Sequence, residues 1–133
     1  MGKIHVINIK TDNDYSLNDG YFYVGRSKTM KSPLGNPFTY NGKRSNIAKL
    51  SFKTVEECIA AYEMYFDRMY GTDDDFTKAF DEIYEYYKTG NDVYLGCFCA
   101  PRPCHATIIA KKLQQKLIKE NRNKIKKSEE III

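Results

Sequence analysis

The chain opens on a partly alternating run, KIHVINI, whose β-branched residues Ile4, Val6, Ile7 and Ile9 predict a strand. The polar, turn-rich TDNDYSLNDG separates it from YFYVG, an almost wholly apolar run that fits a strand covered on both faces. From Arg26 to Ser45 the periodicity vanishes and Gly, Pro, Asn, Ser and Lys dominate, which predicts a loop of about twenty residues. Val55, Cys58, Ile59, Tyr62, Phe66 and Met69 then recur at helical intervals behind Thr54 and Glu57, which stand at capping-box spacing. Phe76, Ala79, Phe80, Ile83 and Tyr87 make a second amphipathic helix, stopped by Gly90. DVYLGCFC reads as another strand, and Ile109, Leu113 and Leu117 mark a third helix starting near Cys104.

Strand, strand, loop, two helices, strand, helix is the order of an α/β protein: a small Rossmann-like layered sheet, at least partly parallel, with about three helices. Residues 1–120 make one domain, and 121–133 a basic tail whose charge density predicts fraying. In such sheets ligands bind beyond the carboxyl ends of the strands. The segments Gly25 to Phe38 and Cys97 to His105 each begin at a predicted strand end, so both belong on that edge.

Composition narrows the classes. With 133 residues, 42% hydrophobic and 14% aromatic, the chain can bury a core without disulfides or metal. The net charge of +4 comes largely from KKLQQKLIKENRNKIKK, so the body is close to neutral and does not suit a whole-surface nucleic-acid binder. No apolar leader follows the Met-Gly-Lys start and no stretch is long enough to span a membrane, which predicts a cytoplasmic protein with reduced cysteines. Cys58, on the apolar stripe of the first helix, reads as core.

The chemistry concentrates in LGCFCAPRPCHATIIAKKL, which holds Cys97, Cys99, Cys104 and His105. Residues two apart on a strand share a face, so Cys97 and Cys99 belong side by side. The prolines of APRPC end the strand, and Cys104 and His105 open the helix, where unpaired amides and the dipole favour anions. Three functional readings follow. The four side chains have the number and softness for zinc, although a Cys-x-Cys strand is a poor chelating bite. Cys104 at a helix start, near His105 or Arg102, has the setting of a nucleophilic thiolate. The favoured reading is an elbow for a phosphate or other polar ligand, with Arg102 and the helix amides receiving the anion and His105 orienting it. Beside these stands the bland reading, small core cysteines and a capping histidine.

The other segment, GRSKTMKSPLGNPF, offers Arg26 directly after a strand end, with Lys28 and Lys31 beyond it. Gly25 and Gly35 give backbone freedom, and Asn36 before Pro37 is a turn residue whose amide could also read a ligand. The Walker spacing is absent.

YFYVGR, SPLGNPF and LGCFCAPRPCHATIIA, in this order, resemble the domain of unknown function 4326 family of bacteria and phages over about residues 4 to 117. That family's pattern has Gly after the Cys-His pair where this chain has Ala106. The Cys-His helix opening is also similar to that of a second Rossmann-like group without the Cys-x-Cys pair. That similarity weakens the zinc reading. For a phage-encoded copy, the host cytoplasm is the implied location.

The expectation is therefore a pocket for a nucleotide or another small phosphorylated ligand. Gly25, Arg26, Gly35, Asn36 and Arg102 would bind, while Cys104 as nucleophile and His105 as acid or base would serve any hydrolase or transferase chemistry. An enzyme and a sequestering protein would share these residues. The alternative is a zinc-stabilised module contacting nucleic acid or protein through its basic C-terminal helix. The tyrosine-rich helices leave homo-oligomers open.

Overall fold

The computed structural model describes residues 2–9, 19–25, 32–40, 50–52, 54–97 and 104–132, with backbone alone at 39, 40, 50–52 and 126–132. Five strands and three helices follow in the order β1 (Ile4–Asn8), β2 (Tyr21–Tyr23), β3 (Phe38–Tyr40), β4 (Leu50–Phe52), α1 (Val55–Met69), α2 (Asp74–Lys88), β5 (Val93–Cys97) and α3 (His105–Ile132). β5 lies between β1 and β2 and is parallel to both, so the carboxyl ends of the three strands share one edge. β3 and β4 form a separate parallel pair. The result is a mixed α/β fold with three helices and a small parallel sheet, as the element order predicts.

The period of two sorts β5. Val93, Leu95 and Cys97 are buried, and the partly buried Ile4, Val6 and Phe22 pack against the same core. On the opposite face His5 stacks on Tyr94 at 4.7 Å, and the ring of Tyr21 crosses Gly96. A methyl group on Gly96 would lie 2.6 Å from a carbon of that ring, so the close approach needs glycine. β2 departs from the expectation of a strand covered on both faces: all three residues are partly exposed, and of them Phe22 packs against the core.

The loop expected from Arg26 to Ser45 contains β3, and β4 precedes α1 without having been predicted. Strands of three residues are too short to show a period. Phe38 enters β3 from a turn in which its N–H donates to Asn36 Oδ1 at 3.0 Å, and its ring meets Tyr65 of α1 edge-on at 5.8 Å.

The helices start where short polar side chains satisfy unpaired amides. Thr54 Oγ1 accepts from the Glu57 N–H at 3.1 Å, and Asp73 Oδ1 from the Phe76 N–H at 2.9 Å. Gly90, at φ 98°, turns the chain out of α2. Cys58 is buried, as its place on the stripe implies. Aromatic rings join α1 to α2: Phe66 meets Phe76 and Phe80 at 5.1 and 5.0 Å, and Tyr70 meets Phe80 at 5.1 Å. α3 closes this layer through Ile109 and Leu113.

α3 has 28 residues in one helix, about 42 Å at 1.5 Å per residue, and its backbone stays helical past Asn121, where the charge density predicts fraying. No helix among the described residues is long and apolar enough to cross a membrane.

The far end of the packed part of α3 is held by Tyr84 Oη donating to Glu120 Oε2 at 2.6 Å. That bond, helped by Lys116, holds the Glu120 carboxyl below its usual range. A carboxyl depressed in the folded state stabilises above its unfolded pKa, and the contribution is lost as pH falls through the folded value. Glu120→Gln is therefore expected to be less stable than wild type at neutral pH and to lose less on acidification below about pH 4. Urea midpoints across that range check it.

Candidate functional site

β2 and β5 deliver their ends side by side. The Val24 N–H donates to the Gly96 carbonyl at 3.0 Å, carrying the ladder one residue past β2. Val24 is fully buried, and its own carbonyl accepts from His105 Nε2 at 2.5 Å. A carbonyl cannot donate, so Nε2 carries the hydrogen, and in the neutral ring the lone pair lies on Nδ1. His105, the first residue of α3, is 6% exposed and thus tied to the end of β2.

Tyr62 of α1 packs edge-on against that imidazole with ring centroids 5.0 Å apart. Its hydroxyl donates to the Leu34 carbonyl at 2.6 Å. Burial pushes the Tyr62 phenol well above its usual value, with Tyr65 and Cys104 adding to the effect, so it stays protonated and remains a donor. One side chain of α1 thus touches both motif segments. Sequence reasoning placed Tyr62 on the apolar stripe and went no further. The available signal was a hydroxyl at a core position, which must find a partner, although spacing does not name Leu34.

The segment around Leu34 is a folded turn. Ser32 N–H donates to the Gly25 carbonyl at 3.1 Å, and Gly35 N–H donates to the Ser32 carbonyl at 2.9 Å. Ser32 Oγ also accepts from the Leu34 N–H at 3.1 Å. Asn36 is a turn former, as expected: Oδ1 holds Phe38, and Nδ2 donates to Cys58 Sγ at 3.5 Å. Gly25 lies outside the left-handed region. A Cβ there would meet the Tyr23 hydroxyl at 3.0 Å, a tight contact that the tip of that side chain would have to relieve.

At the end of β5, Cys97 Sγ lies 3.4 Å from Cys104 Sγ, and both residues are buried. This is a thiol contact, well beyond the roughly 2.05 Å of a disulfide. The Cys104 carbonyl accepts from the Thr107 N–H at 3.1 Å and Oγ1 at 2.7 Å, which fixes the first turn of α3.

Gly25, Asn36, Cys97, Cys104 and His105 are thus drawn around one end of the sheet. Arg26, Lys28, Lys31, Cys99 and Arg102 lie outside the described residues. Of the four side chains in the zinc reading, Cys97 and Cys104 touch, and His105 presents Nε2 to a carbonyl, so ligation by that ring would fall to Nδ1. Among the described residues no three His, Cys, Asp or Glu side chains are grouped to hold a metal. A cleft of about 360 Å³ runs beside β2, lined by Tyr21, Tyr23, Ser32, Leu34, Glu82 and Ile83. Glu82 puts a carboxylate into this cleft, which disfavours an anion there.

Tyr62→Phe leaves the buried Leu34 carbonyl without its phenolic donor. The expected cost is about 1–3 kcal/mol, measured by urea denaturation with an unchanged slope.

Comparison with known proteins adds one match. Neither a curated protein nor a solved structure matches the chain. A family model described as "Domain of unknown function (DUF4326)" matches residues 7–115, the span that contains β2, the Leu34 turn, the paired cysteines and His105. The chain belongs to the DUF4326 family.

Proposed function

We propose that this protein binds a nucleotide or another small phosphorylated molecule at the carboxyl edge of its parallel sheet. The observation that carries this reading is the His105 Nε2 bond to the Val24 carbonyl, which holds the start of α3 beside the end of β2. A helix start supplies amide donors and positive potential, and Arg26 and Arg102 flank the two segments in sequence. Gly25, Gly35 and Asn36 shape the approach.

The same bond bears on the role of His105. With Nε2 committed to the backbone, proton exchange with a ligand would fall to Nδ1, and a positioning role agrees better with the geometry than free acid–base work. Cys104, its thiol against Cys97, is the nucleophile of any covalent step. Binding, with or without turnover, is the reading the site supports.

The test is a thermal-shift screen of the full chain against nucleoside phosphates and sugar phosphates. A ligand at about 100 times its Kd stabilises by about 2.7 kcal/mol, a shift of several degrees for a chain of this size. Arg26→Ala and His105→Ala are expected to lose that shift. No stabilisation by any member of the set, or shifts that persist in both variants, would contradict the reading. About one zinc per chain, with unfolding on chelation, would instead assign the cysteines to a metal.

A further inference from the structure

Two thiols touch where β5 ends and α3 begins. Cys97 Sγ and Cys104 Sγ are 3.4 Å apart across seven positions of chain, and both residues are buried. Hydrogen bonds fix the backbone on each side. Cys97 stands opposite Asn8 in the parallel ladder, and its carbonyl accepts from the Ile9 N–H at 3.0 Å. The Cys104 carbonyl accepts twice from Thr107, and His105, the next residue, is tied to the Val24 carbonyl. The fold itself therefore holds the sulfurs in contact. Reaching the roughly 2.05 Å of a disulfide takes about 1.4 Å, the scale of a side-chain adjustment and not of a backbone rearrangement.

The two sulfurs are not equivalent. Cys104 directly precedes the first residue of α3, where helix amides and the dipole favour a thiolate, whereas Cys97 is the last residue of a strand. An attacking thiol with a second thiol already in contact is the arrangement of a redox-active pair. Cys58 supplies the contrast: it is a buried core thiol on α1 whose sulfur accepts from the Asn36 amide at 3.5 Å.

We infer that Cys97 and Cys104 are a reversible oxidation site, a dithiol that closes to a disulfide when hydrogen peroxide is the oxidant. The Cys104 thiolate attacks one peroxide oxygen and the O–O bond breaks. The sulfur becomes a sulfenic acid, and the other oxygen leaves as hydroxide, which takes up the thiol's proton as water. Cys97 then attacks that sulfur, so the S–S bond forms, the S–O bond breaks, and the hydroxide leaves with the Cys97 proton as a second water. The sum is two thiols and one peroxide giving one disulfide and two waters. An external dithiol reverses the step by exchange and is itself oxidised to a disulfide. Closure withdraws Cys104 from any covalent step at the strand-end edge. That consequence rests on the ligand site proposed above, whereas the pairing does not.

Differential alkylation of the full wild-type chain tests this without any ligand, so it passes or fails independently of the phosphate screen. The reduced chain is treated with a small excess of hydrogen peroxide, and its remaining thiols are blocked with N-ethylmaleimide in denaturant. Dithiothreitol then opens any disulfide, iodoacetamide marks the thiols it releases, and tandem mass spectrometry locates both labels. Of the four cysteines, Cys97 and Cys104 are expected to carry the second label, and Cys58 and Cys99 the first. Dithiothreitol added before the block should abolish the second label. In Cys97→Ala the sulfenic acid persists at Cys104 and is trapped by dimedone, an adduct that Cys104→Ala loses. No second label in the wild-type chain, or a second label that pairs Cys99 with either thiol, would overturn the proposal. So would a dimedone adduct formed at Cys97 and not at Cys104, which would reverse the two roles. If the thiols resist peroxide and about one zinc is bound per chain, they belong to a metal instead.

Discussion

An imidazole N–H buried against a backbone carbonyl joins the two halves of this protein. His105 is the first residue of α3 and Val24 the first residue after β2, and they are 81 positions apart in the chain. An unmade bond would leave a buried donor and a buried acceptor, a cost of about 1–3 kcal/mol for each group. The start of α3 is therefore bound to the end of β2 whenever the core is closed. Tyr62 reinforces the arrangement, since its ring rests on the imidazole while its hydroxyl holds the Leu34 carbonyl.

From that constraint the rest of the edge follows. The parallel ladder carries β2 and β5 in one direction, so Gly25 and Cys97 leave the sheet on the same side. The turn of Ser32 to Gly35 folds back on Gly25, and Asn36 carries the chain past Cys58 into β3. The opposite end of α3 obeys different physics. There residues 121–125 are all exposed while the helical backbone runs on to Ile132.

Much of the fold was legible in the sequence because it rests on local rules. Thr54 caps α1, Gly90 ends α2, Cys58 is core, and the alternation of β5 is visible in VYLGC. The edge shared by the two motif segments followed from parallel topology alone. What escaped depends on contacts distant in the chain or on elements too short for a period. β3 and β4 have three residues each, and neither the Leu34 partner of Tyr62 nor the Val24 partner of His105 is encoded by any spacing. The helical backbone beyond Asn121 was hidden by its charge, which in a helix end can face solvent without disrupting the backbone ladder.

The central claim is that His105 holds both motif segments in one unit, and amide hydrogen exchange in His105→Ala tests it most directly. The account expects the amides of Val24, Ser32 and Gly35 to lose protection together with that of Thr107, while Ile83 in the core of α2 keeps its own. Loss confined to the first turn of α3, with Val24, Ser32 and Gly35 as protected as in wild type, would contradict it.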